Sequence, residues 1–129
     1  MVATLRKRLA HDEGGFTLIE LLVVLVIIGI LLAIAVPSYL GFKDRANKRA
    51  AQSNVREAIP SAEAFYSDNN TYATMTKASL TAIDSGISSS LTVGTTTLGG
   101  YCLSDTIGGK TAGVHGPGGK VTMGTPAGC

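Results

Sequence analysis

Residues 16 to 36 constrain this chain more than any other stretch. They read Phe-Thr-Leu-Ile-Glu and then run apolar without a break from Leu21 to Val36. As a helix rising 1.5 Å per residue, a segment of this length reaches about 30 Å, the thickness of a bilayer's hydrocarbon core. The core helix of a soluble domain buries one stripe and wets the other. This run has no polar face. A secretory signal peptide has a shorter apolar region followed by small residues at its cleavage site. Ala33 and Ala35 ahead of Pro37 imitate such a site, but the run is long for one. The segment reads as a single membrane span.

The flanks differ from it and from each other. Residues 1–15 are polar, with Arg6, Lys7 and Arg8, then Asp12 and Glu13, and end in Gly14-Gly15. In residues 38–70, Val55, Ile59, Ala62 and Phe65/Tyr66 recur at three- and four-residue steps, one apolar stripe of a helix. Arg49, Gln52, Arg56, Glu57 and Glu63 fall on the opposite, solvent face. Pro37 and Pro60 each remove a helical hydrogen bond, and a kink is expected at both. Ser67-Asp68-Asn69-Asn70 is a helix stop. From Phe16 to Ser67 such a helix is roughly 78 Å long. A tail of some sixty residues cannot bury it, so half of it needs lipid or further copies of itself.

Residues 71–129 are rich in Gly, Thr and Ser, and twelve of the sixteen glycines lie from Gly86 onward, which leaves little room for helix. Short strands are expected at Ser90–Val93, Gly100–Ser104, Lys110–His115 and Lys120–Met123. Gly116-Pro117-Gly118-Gly119 is the turn between the last two, and Ser79–Thr97 reads alternatively as loop. The expected fold is α+β: a long, partly kinked N-terminal helix packed on a small C-terminal antiparallel sheet that buries Val55, Ile59 and Phe65.

Little here supports catalysis. One domain's length excludes a large multidomain enzyme. The formal net charge of +2 does not argue for nucleic acid, and DNA as a partner is unsupported. Gly108-Gly109-Lys110-Thr111 resembles the end of a phosphate-binding loop, but position 104, where the pattern needs Gly, is Ser, and a strand rather than a helix is expected after it. His11 and His115 have no neighbouring ligand set, so no metal or cofactor is expected. The basic cluster Lys43 to Arg49 reads as a solvated or lipid-headgroup-facing segment, with Asp44 and Lys48 placed to pair at i,i+4.

Basic residues on the two flanks of the span leave its orientation equivocal. The cysteines decide the expectation. Cys102 and Cys129 are the only two, both in the Gly-rich region. Bridged, they would close a loop of about 28 residues, worth about 3 to 4 kcal/mol. A bridge implies an oxidising compartment, hence tail outside and N-terminus inside. Two unrelated free thiols are the alternative.

Glu20 is the residue that demands a reason. A carboxylate in a span costs about 2.5 to 3.5 kcal/mol at its centre and less near its end. Thr17 and Glu20 fit a Thr-x-x-Glu capping box, with a negative charge at the positive end of the helix dipole. That use does not require Glu rather than Gln. A second use does. If the chain is cut after Gly15, Phe16 acquires an ammonium group one helical turn from Glu20. Two staggered copies could then pair Glu20 of one with the Phe16 amine of the next and so set their register.

Gly15-Phe16-Thr17-Leu18-Ile19-Glu20, after a short basic leader and immediately before the apolar helix, resembles the processing site of type IV pilins and pseudopilins. The resemblance implies a leader of residues 1–15, cleavage between Gly15 and Phe16 by a membrane prepilin peptidase, and methylation of the new Phe16 amine. It implies a filament-core helix over 16–37, an amphipathic helix over 38–70 and a globular β region over 71–129. Gly29 and Pro37 match helix-loosening positions of the family, and Cys102 and Cys129 resemble its C-terminal disulfide. The partners implied are further subunits in a homopolymer, the peptidase, a membrane assembly machine and lipid before assembly. The implied role is a structural subunit, not an enzyme, that is membrane-bound before assembly and extracellular afterwards. Motility, adhesion and DNA uptake are the uses such filaments have. A pseudopilin of a type II secretion or competence system is the near alternative. Pseudopilins of secretion often carry an acidic calcium-binding loop, and the tail here has only Asp84 and Asp105. A single-span anchored domain that never polymerises is the alternative of another class.

Overall fold

The computed structural model describes residues 14–129; Arg6–Arg8, His11, Asp12 and Glu13 lie outside the described residues. The elements are α1 (Leu18–Asn69), α2 (Lys77–Ile83), β1 (Thr92–Thr96), β2 (Tyr101–Ile107), β3 (Lys110–Gly116) and β4 (Thr122–Met123). The fold is α+β, with a long N-terminal helix and a four-stranded antiparallel sheet in sequential order β1-β2-β3-β4. Two compact units divide at Tyr39/Leu40. The second, Leu40–Cys129, holds the core.

Within that unit the small residues of α1 decide how closely the sheet approaches. Ala51, Val55, Ala58 and Ala62 are fully buried and Phe65 nearly so. Their steps of four and three residues keep them on one face. Ile59, expected in the core, is only partly buried, because it sits beside Ala58 at the margin of this stripe. Assigned helix continues through Pro37 and Pro60 without a break. Pro60 is exposed, so the carbonyl freed by its missing N–H can be hydrated rather than stranded. The helix stops where the turn residues begin. Asn70 takes φ 56° and donates its N–H to the Tyr66 carbonyl at 2.7 Å, while Asn69 Nδ2 donates to the Phe65 carbonyl at 2.9 Å. This is a left-handed C-terminal cap with Asn in the place Gly commonly takes.

The sheet departs from expectation in its bounds. β1 begins at Thr92 rather than Ser90 and runs past Gly94 to Thr96; β2 starts after Gly100 and extends to Ile107; β4 is only Thr122–Met123. Gly108 and Gly109, both at positive φ, form the two-residue turn of the β2–β3 hairpin, in which Ile107 faces Lys110. The Gly-Gly-Lys-Thr stretch is therefore a hairpin turn. α2 is helix, and it overlaps the start of the Ser79–Thr97 stretch that reads alternatively as loop. Its seven residues are held by a Thr76/Ser79 capping box and by Leu80, which is fully buried.

β2 is buried over five consecutive residues, Tyr101 to Asp105, instead of alternating. Both of its faces are covered. Leu103 packs in the core with α1, while Cys102 is bonded to Cys129, with their Cα atoms 5.4 Å apart. The final residues lie over the sheet: a Cβ on Gly113 would be 2.3 Å from the Pro126 ring, and one on Gly94 would be 2.8 Å from the Cys129 Cα. The bridge thus secures the segment that keeps the sheet's outer face from water.

Asp105 is buried, and Asn54 Nδ2 of α1 donates to its Oδ2 at 2.7 Å and to Ser88 Oγ at 3.2 Å. Asn54 thereby joins helix, sheet and the α2–β1 connection. Its loss would leave a buried carboxylate without that donor. Asn54→Ala is expected to lower stability by about 1.5 to 3 kcal/mol, the range for hydrogen bonds to charged groups. Urea unfolding of the full chain in detergent checks this; a change below about 0.5 kcal/mol, the usual size for a surface substitution, contradicts it.

Candidate functional site

The first unit carries Gly15, Phe16, Glu20, Gly29 and Pro37, while Cys102 and Cys129 lie in the second. Gly14 and Gly15 are exposed and precede the helix, and a Cβ on either would meet nothing within 4 Å. Phe16 is 91% exposed. The helix opens on the capping box that its sequence suggests. Thr17 N–H and Oγ1 each donate to Glu20 Oε2 at 2.9 Å, and Glu20 N–H donates to Thr17 Oγ1 at 3.2 Å. Glu20 Oε1 makes no hydrogen bond among the described residues. The box therefore uses one carboxylate oxygen and leaves the other for an outside donor.

Every residue from Leu18 to Phe42 is exposed in the single chain, including Leu, Val and Ile on all sides of the helix. Nothing lies within 4 Å of a Cβ placed on Gly29 or Gly41. Pro37 deprives the Ala33 carbonyl of its intrahelical donor, and one residue on, Ser38 Oγ donates to the Ile34 carbonyl at 3.3 Å. Gly29 and Pro37 both lie within the helix. Chemically the surface is a bare apolar rod with one carboxylate at its start. It can be covered by lipid or by other apolar helices.

The second unit pairs some of its own charges. Asp44 pairs with Lys48 at 3.0 Å, as its i,i+4 spacing suggests, and with Lys110 at 2.8 Å, which ties α1 to the β2–β3 hairpin. Hydrogen bonds from Lys110 first and Lys48 second hold the Asp44 carboxyl below the usual carboxylate range. Glu63 was expected on the solvent face. Instead it is half-buried and accepts the Tyr72 hydroxyl at 2.7 Å and the Tyr101 hydroxyl at 2.8 Å. Tyr66, Tyr72 and Tyr101 stack in sequence, with ring centroids 4.6 and 4.8 Å apart. No local signal joins a helix carboxylate to phenols nine and thirty-eight residues away.

Burial first, and the Glu63 carboxylate second, raise both phenols: Tyr72 to about 12, and Tyr101 further. Their folded values lie above the unfolded value near 10. The linked stability is fully present below pH 10 and is lost as pH rises toward 12 and beyond. Alkaline unfolding is expected to steepen above pH 10, and Tyr101→Phe is expected to flatten it. An unchanged pH profile in Y101F contradicts the assignment.

Comparison with known proteins adds to this geometry. Residues 11–36 match the family described as the prokaryotic N-terminal methylation motif. The chain is 41% identical over 66 residues to the type IV major pilin protein PilA of Myxococcus xanthus, covering 51% of this chain and 30% of that protein. It is 40% identical over 62 residues to the type IV wide pilus major component PilA4 of Thermus thermophilus, covering 48% and 47%. It is 37% identical over 67 residues to the type II secretion system core protein G of Escherichia coli, covering 52% and 46%. The matched stretch spans less than half of each relative's own length. Over that stretch the chain is similar both to type IV major pilins and to type II secretion core proteins.

Proposed function

We propose that this chain is a structural subunit of an extracellular helical filament of the type IV pilus kind. The observation that carries the reading is the all-round exposure of the apolar helix from Leu18 to Phe42, opened by a single carboxylate. At about 1.5 to 3 kcal/mol per side chain, leaving some twenty apolar residues in water would cost tens of kcal/mol. The helix therefore passes from lipid directly into contact with other copies.

In this reading residues 1–15 are a leader removed between Gly15 and Phe16 by a prepilin peptidase, and the new Phe16 amine is methylated. The segments 16–37, 38–70 and 71–129 serve as filament core, amphipathic connector and outward-facing β region. Before assembly the chain sits in the membrane with its N-terminus inside. The C-terminal region is outside, where the Cys102–Cys129 bond is stable. Glu20 Oε1 receives the Phe16 ammonium of a neighbouring copy, and Gly29 and Pro37 are the positions at which the packed helix loosens. The chain's role is assembly, not catalysis.

Similarity to core protein G supports a second reading, a pseudopilin whose filament serves secretion. Shearing native cells and imaging the high-speed pellet tests the main reading. The chain is expected in surface filaments. Its confinement to the membrane fraction at native expression, with no filament released, overturns that reading and leaves a pseudopilin or an anchored domain.

A further inference from the structure

The charges of α1 beyond the span are segregated along its length. Lys43, Arg45, Lys48, Arg49 and Arg56 stand against a single acid, Asp44, whereas Glu57, Glu63 and Asp68 follow with no Lys or Arg until Lys77. Asp44 takes up Lys48, and Glu63 is occupied by the two tyrosines. Arg45, Arg56, Glu57 and Asp68 remain exposed and make no ion pair among the described residues, and the same holds for Lys43 and Arg49 nearer the span. Ser53 Oγ donates to Glu57 at 3.1 Å, a contact that leaves its charge unbalanced. Asp68 lies in the last turn of the helix, which holds no basic residue; its charge there opposes the helix dipole. Nothing among the described residues compensates that placement.

The spacing of these four residues is matched. Arg45 and Arg56 are eleven residues apart, and so are Glu57 and Asp68. Eleven residues make about three turns, so each pair lies on one line of the helix. At 100° per residue the acidic line stands about 120° round the axis from the arginine line. Both lines are on the side away from the buried stripe. Glu57 follows Arg45 by twelve residues, and Asp68 follows Arg56 by the same twelve. A parallel copy displaced by about 18 Å along the axis brings both acids level with both arginines at once.

We propose that the exposed arginine line of α1, Arg45 and Arg56, docks on the acidic line, Glu57 and Asp68, of a second, parallel copy of this chain offset by twelve residues. The two lines occupy different faces, so the contact is heterologous and repeats without closing, as a filament requires. The inference rests on the filament reading above and adds an axial offset and a polarity to it. The apolar segment supplies cohesion; these pairs hold a copy about 18 Å away, a different neighbour from the one whose Phe16 meets Glu20 about four residues along.

Charge reversal in the full chain, expressed in native cells, tests the offset. R45E/R56E and E57R/D68R each place like charges in contact, and each is expected to lower sheared filament about tenfold or more while cleaved subunit accumulates in the membrane. The fourfold variant restores complementarity and is expected to recover filament. Assembly of either double variant at the unaltered level overturns the proposal. A second measurement guards against misfolding of the fourfold variant. In sheared R56K filaments, which keep the charge, a carbodiimide is expected to join position 56 of one subunit to Asp68 of another, read by peptide mass. Absence of that cross-link also overturns the proposal. If the unaltered chain releases no filament, the filament reading fails first; if it does and the cross-link is missing, only the offset fails.

Discussion

Replacing Glu20 by Gln is expected to remove filaments from the sheared fraction while leaving the chain cut, membrane-bound and helical from Leu18. The capping box accepts either residue, since Gln offers the same acceptor to the Thr17 N–H and hydroxyl that hold Oε2 now. What Gln lacks is the charge that, in the proposed filament, balances an ammonium group on the next subunit's Phe16. An unbalanced charge in an apolar helical core costs about 2.5 to 3.5 kcal/mol, which corresponds to about a hundredfold in assembly. Quantifying sheared against membrane-retained subunit checks the prediction. Normal assembly of E20Q would show that the carboxylate serves the helix cap alone.

The second large effect concerns the bridge. The double variant C102A/C129A is expected to lose about 3 to 4 kcal/mol, from the loop closure that the bond imposes on the unfolded chain. A folded-state loss adds to it. Cys102 is fully buried, and the segment ending at Cys129 places Pro126 over Gly113 and its own backbone against Gly94. Released, that segment exposes the outer face of β2. Denaturant midpoints of the full chain in detergent, oxidised against reduced and against the double variant, measure the effect. A difference under about 1 kcal/mol would mean that the C-terminal segment holds its place without the bond.

Some of this was legible in the residues because it is local. The apolar run, the Thr17–Glu20 box, the Asp44–Lys48 pair and the Asn-rich helix stop each involve neighbours a few positions apart, and the structure forms all four. Strand positions were legible to within a few residues, because Gly and Pro punctuate them. What was not legible depends on contacts between distant segments. α2 is too short to be stable by propensity and exists because Leu80 is buried. β2 hides its period because the last residues of the chain cover its second face. Glu63 reads as a surface residue until Tyr72 and Tyr101 arrive from elsewhere in the chain. The start of the described chain is the opposite case. Gly15 and Phe16 stand free of the rest of the fold, so their chemistry is carried by sequence alone.

Maturation at Phe16 and incorporation into filaments are read together from the intact mass and N-terminal sequence of protein sheared from the cell surface. The expected chain begins at Phe16, carries one added methyl group and lacks two hydrogens for the Cys102–Cys129 bond. Protein found only in membranes and still beginning at Met1 would contradict it.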